Sequence, residues 1–402
     1  MTPTCFQGRP LTRRSALLGL VAAASLGRVH LALAAAPTDR RFAVVLLRGA
    51  LDGLAAVQPY GDPALRDLRP ALALGEPGTE GGVLDLGGQF GLHPALAGLH
   101  AMFKVGELLP IHAVAGPVRS RSHFEAQDIL ESGADHRLTS GWLNRAVQAM
   151  PGHAAETALA VGTQTPLLLR GSAPVSAYAP HAFAQPTPDL YAQVAALAGP
   201  DPVLGPAIRA GLDERAFNQG HLADGADTPA TPRDRNAFPT LARAAGQLMA
   251  ATDGPRIAAL ELGGWDTHVA QAPRLTTALR TLDEGIGTLR DGLGAAWQQT
   301  AVLVVTEFGR TARANGTNGT DHGTAGCAFL AGGAVAGGRV LATWPGLAPG
   351  RLYEDRDLAP TLDVRAVAKG ILTEHLGLGA QALLAAFPGS ASAEPVRGLV
   401  RP

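Results

Sequence analysis

The sequence predicts an α/β protein with a central, largely parallel sheet and helices on both faces. Three observations lead there. Short, continuously apolar runs recur along the 402 residues. Amphipathic helical patterns separate them. Acidic and imidazole side chains come directly after several of the runs. Alternation of this kind is the pattern of a sheet layered between helices.

The first run is 42–47, Phe-Ala-Val-Val-Leu-Leu. A strand buried on both faces needs such a run, because neither face meets water. Similar runs stand at 109–115, 257–262, 301–306 and 327–331. Between them, 94–104 has helical apolar spacing with Pro94 at a first-turn position, where its missing N–H costs nothing. A second helix is expected at 141–150. A long one is expected at 274–299, with Leu275, Leu279, Leu282 and Leu289 near one face. The stretch 164–239 is rich in Pro, Ala and Asp and reads as an irregular insertion, with helical patches at 190–198 and 206–217 and a loop at 221–239. The tail 388–402 is polar and loop-like. A single domain over 35–402 is the expected organisation.

Residues 1–34 read as a targeting peptide. Arg13 and Arg14 precede an Ala- and Leu-rich run that ends in Ala32-Leu33-Ala34. Paired arginines, a short apolar region and small residues at a cleavage site fit a twin-arginine export signal and a periplasmic or secreted protein. An ordinary secretory signal or an uncleaved anchor is the alternative. Arg28 and His30 interrupt the apolar run, and no later stretch is long and apolar enough to span a bilayer, so no stable transmembrane anchor is expected.

Composition narrows the partners. Hydrophobic residues are 46% and charged residues 17%, enough apolar material for a packed core. The formal net charge is -1, which excludes a dominant basic stripe and with it a nucleic-acid partner. Only Lys104 and Lys369 are lysines, so a given Arg is weak testimony to anion recognition. Past the targeting peptide the one cysteine is Cys327, which rules out an intramolecular disulfide there.

The polar residues after the runs carry the chemistry. Asp52 follows the first run, Asp266 and His268 follow the third, and Glu307 follows the fourth. Open α/β sheets build their sites at the carboxyl ends of strands. Carboxylates gathered there repel one another unless a cation sits among them. Asp266 and His268 are two apart, so in extended backbone both point the same way. Asp321 and His322 lie in a Gly- and Asn-rich loop. Mixed carboxylate and imidazole ligands suit a divalent ion such as zinc, manganese or iron. Each residue also has an ordinary reading: Asp-Gly is often a turn, and Glu307 is within reach of Arg310 or Arg313.

Ser122 heads a helical pattern, with Glu125 three residues on. That spacing fits a capping box. It also fits a hydroxyl nucleophile at a helix N-terminus, with Arg119 or Arg121 holding an anion. Both readings stay open.

Several segments together resemble a bacterial family known as domain of unknown function 1501. They include Leu47-Arg48-Gly49, Phe90-Gly91-Leu92-His93-Pro94, Ser120-Arg121-Ser122-His123-Phe124, Gly264-Trp265-Asp266-Thr267-His268, Thr306-Glu307-Phe308-Gly309-Arg310 and Thr320-Asp321-His322-Gly323. The resemblance implies twin-arginine export and an alkaline phosphatase/sulfatase-like fold. It implies metal ligands drawn from Asp52, Asp266, His268, Glu307, Asp321 and His322, with Ser122 and Arg121 catalytic. That superfamily has Asp-His or Asp-Asn after the late strand, where this chain has Glu307-Phe308. The implied function is hydrolysis of an anionic phosphate or sulfate ester, of a small molecule or a glycan. The alternative is an exported binding protein that keeps the fold without turnover. No dinucleotide or redox-cofactor fingerprint is present.

Overall fold

The computed structural model describes residues 38–150, 157–179, 188–202, 204–222 and 237–402. The expected targeting peptide, 1–34, and most of the loop expected at 221–239 lie outside the described residues.

Eleven strands are described: β1 (Arg41–Arg48), β2 (Val57–Gln58), β3 (Leu84–Asp85), β4 (Gly91–Leu92), β5 (Leu108–Ala115), β6 (Ala158–Val161), β7 (Ser176–Tyr178), β8 (Ile257–Gly263), β9 (Thr300–Thr306), β10 (Gly326–Ala331) and β11 (Leu362–Asp363). Eight form one sheet in the order β11-β5-β10-β9-β1-β8-β6-β7, and β2, β4 and β3 form a small second sheet. Within the large sheet β1 pairs in parallel with β8 and β9, as do β6 with β7 and β8, and β11 with β5. Only β10 runs the other way, against β5 and β9. The α/β class and the largely parallel sheet are as the sequence predicts, and each of the five apolar runs is a strand.

Alternation along the strands explains the continuous apolar runs. Ala43, Val45 and Leu47 of β1 face one core, with Leu99, Leu241, Leu248, Leu275, Leu279, Leu282 and Leu289 from helices Ala97–Lys104, Phe238–Ala250 and Gln271–Leu293. Phe42, Val44 and Leu46 face the other, with Trp142, Leu143, Val367, Ile371 and Phe387. A strand with helices on both faces has no wet side, so both residue parities are apolar. The four leucines expected on one face of the long helix are all buried in the first core.

Within the stretch 164–239 the helical patches expected at 190–198 and 206–217 lie in the helices Pro188–Ala198 and Leu204–His221, and the stretch also contains the edge strand β7 and the start of the helix Phe238–Ala250. Among the described residues no helix is long and apolar enough to cross a membrane.

Because β1, β5, β8 and β9 are mutually parallel, their carboxyl ends lie at one edge of the sheet. The antiparallel β10 starts at that edge. So the loops after β1, β5, β8 and β9, and the loop before β10, are gathered by topology alone.

Candidate metal centre

Those loops bring three imidazoles and a carboxylate together. His123 opens the helix His123–Ser132 that follows β5. Asp266 and His268 follow β8, and His322 precedes β10. The Nε2 atoms of His123 and His322 are 3.0 Å apart, and those of His268 and His322 are 2.9 Å apart. Asp266 Oδ1 lies 2.9 Å from His268 Nε2, 3.2 Å from His322 Nε2 and 3.6 Å from His123 Nε2. His123, Asp266 and His322 form a group able to hold a metal ion.

The other nitrogen of each ring fixes its tautomer. His123 Nδ1 faces Glu307 Oε1 at 2.7 Å, His268 Nδ1 faces Asp321 Oδ1 at 3.0 Å, and His322 Nδ1 faces the Arg121 carbonyl at 2.8 Å. All three partners can only accept, or are carboxylates held ionised, so each Nδ1 carries the proton. In a neutral ring the Nε2 then presents a lone pair: His322 faces His123, His268 and Asp266, while His123 and His268 each face His322 and Asp266. Lone pairs and an anionic oxygen at these distances repel unless a proton or a metal cation lies among them. A tetrahedral zinc shell with bonds of about 2.0–2.1 Å has ligand–ligand edges of about 3.3 Å. The separations among His123, Asp266 and His322, 3.0 to 3.6 Å, bracket that value, and His268 Nε2 lies 2.9 Å from both His322 Nε2 and Asp266 Oδ1. The donor set therefore fits a divalent ion, with Glu307, Asp321 and the Arg121 carbonyl orienting the rings from behind.

Charge agrees. Asp266, Glu307 and Asp321 are the carboxylates touching the rings, and Arg310 is the guanidinium bonded to one of them, at 2.6 Å from Asp266 Oδ1. Three negative charges against one positive favour a further cation at this edge, an imidazolium or a metal ion. Burial works against the charged form of Glu307. Hydrogen bonds from His123, Gln127 and the Gly49 N–H outweigh it and hold the carboxyl down at about 2. Burial likewise opposes ionisation of Asp266, and Arg310 overcomes it, so that carboxyl also titrates below its ordinary value. The hydrogen bond to Glu307 raises His123, while burial lowers His322.

The loops meet backbone to backbone, which explains two of the glycines. Gly49 has φ +117°, and a Cβ there would stand 2.8 Å from the Asp266 nitrogen. A Cβ on Gly319 would stand 2.1 Å from the His268 carbonyl oxygen. Trp265, fully buried, donates Nε1–H to the Leu262 carbonyl and anchors the loop that carries Asp266 and His268.

The residues expected from the sequence are therefore distributed as follows. Asp266, His268 and His322 converge. Glu307 and Asp321 stand one step back, each holding a ring nitrogen. Asp52 bonds none of the three rings: its Oδ2 accepts from Arg69 and Gln271, both at 2.6 Å, in an adjoining buried network. Gln271 in turn accepts from Thr267 and Thr320, the chain neighbours of Asp266 and Asp321, so Asp52 braces the centre from below. Ser122 occupies the N-cap position but makes no side-chain capping bond and is exposed. Glu125 instead accepts from Ser120 Oγ at 2.6 Å, which replaces the expected capping box. The Arg121 guanidinium bonds Asp357 and Glu354. What Arg121 gives the centre is its carbonyl. Arg119 is exposed and bonds the Gly116 carbonyl.

His123 is not among the residues expected from the sequence. It follows Ser122 directly and opens the helix after β5. Its one sequence signal is a histidine at the head of the helical pattern that follows the run 109–115, which puts it at the same strand-end edge as Asp266, His268 and His322.

A family model described as a protein of unknown function, DUF1501, matches residues 109–387. The chain belongs to this family. The DUF1501 match takes in His123, Asp266, His268, Glu307, Asp321 and His322 and leaves Asp52 outside. No curated protein matches the chain. Among solved structures, it is similar to the C-terminal periplasmic domain of EcEptC from Escherichia coli, in complex with Zn, at 11% identity and TM-score 0.37, covering 72% of each chain. It is similar to the phosphonate monoester hydrolase of Agrobacterium radiobacter at 9% identity and TM-score 0.37, covering 85% of this chain and 74% of that one. A protein in the alkaline phosphatase superfamily from Vibrio parahaemolyticus aligns at 11% identity and TM-score 0.34, covering 80% and 69%.

Proposed function

We propose that this chain is an exported, metal-dependent hydrolase of phosphate or sulfate esters. One observation carries the reading: at the strand ends of an α/β sheet, His123, Asp266 and His322 bring their ligand atoms within reach of a single ion, with His268 Nε2 against two of them and the Nδ1 of each ring held by an acceptor. His123, His268, His322 and Asp266 would hold the ion, which supplies Lewis acidity to an ester oxygen. Nitrogen-rich donors favour zinc or iron over magnesium or calcium. Ser122 would supply the attacking hydroxyl. It makes no side-chain cap, so the first-turn N–H groups beside it stay available to an anion.

A second reading has a specific observation behind it. The guanidinium groups nearest the centre are already matched to carboxylates, Arg310 to Asp266 and Arg121 to Asp357 and Glu354. A binding protein that holds a metal without turning over an ester accounts for that saturation. One experiment separates the two. Protein recovered from the cell envelope, its N-terminus sequenced, is assayed for bound metal and for turnover of aryl phosphates and aryl sulfates. The same is done for Asp266→Ala/His268→Ala and Ser122→Ala. The hydrolase reading expects about one metal per chain in the parent, none in the double variant, and a metal-replete but inactive Ser122→Ala. Metal without turnover selects the binding reading, and an N-terminus at Met1 refutes export with processing. Parent protein that takes up no metal overturns both readings.

A further inference from the structure

We propose that Asp357 is a positioning residue of the metal centre, acting on His322 through the main chain of Arg121. The proposal rests on the metal-binding reading above and assigns the residue that keeps one ligand aimed.

Asp357 lies outside the ligand loops, in the segment before β11, and is fully buried. Its Oδ2 accepts three hydrogen bonds: from Arg121 Nε at 3.0 Å, from Arg121 NH2 at 2.7 Å and from Thr324 Oγ1 at 2.8 Å. Its Oδ1 has no hydrogen-bond partner, and the nearest charge to it is Arg356 NH1 at 3.5 Å. The backbone is pinned as well, since Asp357 and Tyr353 exchange N–H···O bonds of 2.8 and 3.0 Å.

The two side chains that Asp357 grips stand on either side of one ligand. Thr324 is two residues beyond His322 in the chain. Arg121 is the residue whose carbonyl accepts from His322 Nδ1, and it is two residues before His123. A single carboxylate thus ties together the segments that deliver two of the three imidazoles, from β5 and from the loop before β10. Holding the Arg121 side chain holds its carbonyl, the carbonyl holds His322 Nδ1–H, and that bond leaves Nε2 turned to the cluster.

Removing a carboxylate from water costs several kcal/mol unless it is paired and hydrogen-bonded. Here Oδ2 takes all three hydrogen bonds, and Oδ1 faces Arg356 at 3.5 Å. A full negative charge is what keeps a guanidinium, and the backbone attached to it, in one place.

Asp357→Asn keeps the shape and removes the charge. Cobalt(II) is the probe, titrated against a chelator into the parent, Asp357→Asn, Thr324→Val and His322→Ala, with urea midpoints of the metal-free forms measured alongside. Outer-sphere partners of metal-bound histidines are worth about 10- to 100-fold in affinity. Asp357 acts one step further out, through the Arg121 carbonyl, and Glu354 still pairs with the guanidinium, so Asp357→Asn is expected to weaken cobalt binding by about 10-fold, the lower end of that range, with an absorption spectrum displaced towards that of His322→Ala. Thr324→Val, which removes one of three donors and no charge, is expected to be intermediate, and it carries the test if Asp357→Asn fails to fold. A parent-like cobalt affinity and spectrum in a folded Asp357→Asn, or in Thr324→Val where that variant must stand in, overturns the proposal, whatever the urea midpoint does. Failure of the parent to bind cobalt is a different result, because it removes the metal reading itself.

Discussion

Replacing Glu307 by Gln tests the orientation of His123 and the electrostatics of the centre together. Glu307 is buried, and its Oε1 meets His123 Nδ1, Gln127 Nε2 and the Gly49 N–H, while Oε2 meets Thr306 Oγ1. A Gln amide oxygen can accept the same three donors, and its NH2 can turn to the Thr306 hydroxyl. The fold loses a charge but little shape. In the metal-free protein the carboxyl titrates at about 2, against 4.5 ordinarily. That gap of about 2.5 pH units, at 1.36 kcal/mol each, is roughly 3 kcal/mol of native stability at neutral pH. The folded value lies below the unfolded one, so the contribution is fully present above about pH 4.5. It fades as pH falls and is gone near pH 2. Urea midpoints of chelated parent and Glu307→Gln, measured from pH 7.5 downwards, should therefore converge on acidification. With metal present, loss of the charged partner of His123 should weaken affinity about 10- to 100-fold. A stability difference that ignores pH, or a Glu307→Gln that binds metal as the parent does, would refute the reasoning.

Three buried histidines outside the centre make a separate acid prediction. Burial pushes His93, His112 and His375 down to about 4, so they are neutral in the fold and charge in the unfolded chain near 6.5. Their stability is complete above about pH 6.5 and falls as pH drops towards 4, by up to about 1.4 kcal/mol per pH unit for each; a urea midpoint that is flat across that window counts against it. The buried Asp52–Arg69 pair makes a third. Arg69→Met strands a buried carboxylate and should cost about 3–5 kcal/mol, and Asp52→Asn added to Arg69→Met should recover part of it in the same denaturation assay.

The sequence makes the layered fold legible because burial on both faces leaves an unbroken apolar run, and all five such runs are strands. The short strands β2, β3, β4, β6, β7 and β11 escape notice for the same reason: two to four residues carry too little periodicity to register. The reversed direction of β10 has no sequence signature, since an antiparallel strand buried on both faces reads like a parallel one. At the site, residue type and strand-end position point to Asp266, His268 and His322. They do not separate the groups that converge from the groups behind them. Glu307 and Asp52 are both acids after apolar runs, yet one bonds an imidazole and the other a guanidinium. That distinction depends on Arg69 and Gln271, which reach Asp52 from 17 and 219 residues away.

The same long-range dependence says when the centre can form. His123 is oriented by Glu307 across 184 residues, His322 by Arg121 across 201, and His268 by Asp321 across 53. These bonds need β5, β8, β9 and β10 assembled in one sheet. Once they are, the Nδ1 of each ring is already held, so on the metal-binding reading an ion would meet donors whose ordering entropy has been lost to folding rather than to binding. The charges act in the same sense. Against the burial of Asp266 and Glu307, Arg310 and the hydrogen bonds from His123, Gln127 and His268 hold Asp266, Glu307 and Asp321 below the ordinary carboxylate range in the metal-free fold. On the metal-binding reading proposed above, an ion would therefore meet donors already ionised, and its binding should stabilise the native chain by an amount that grows with free metal concentration.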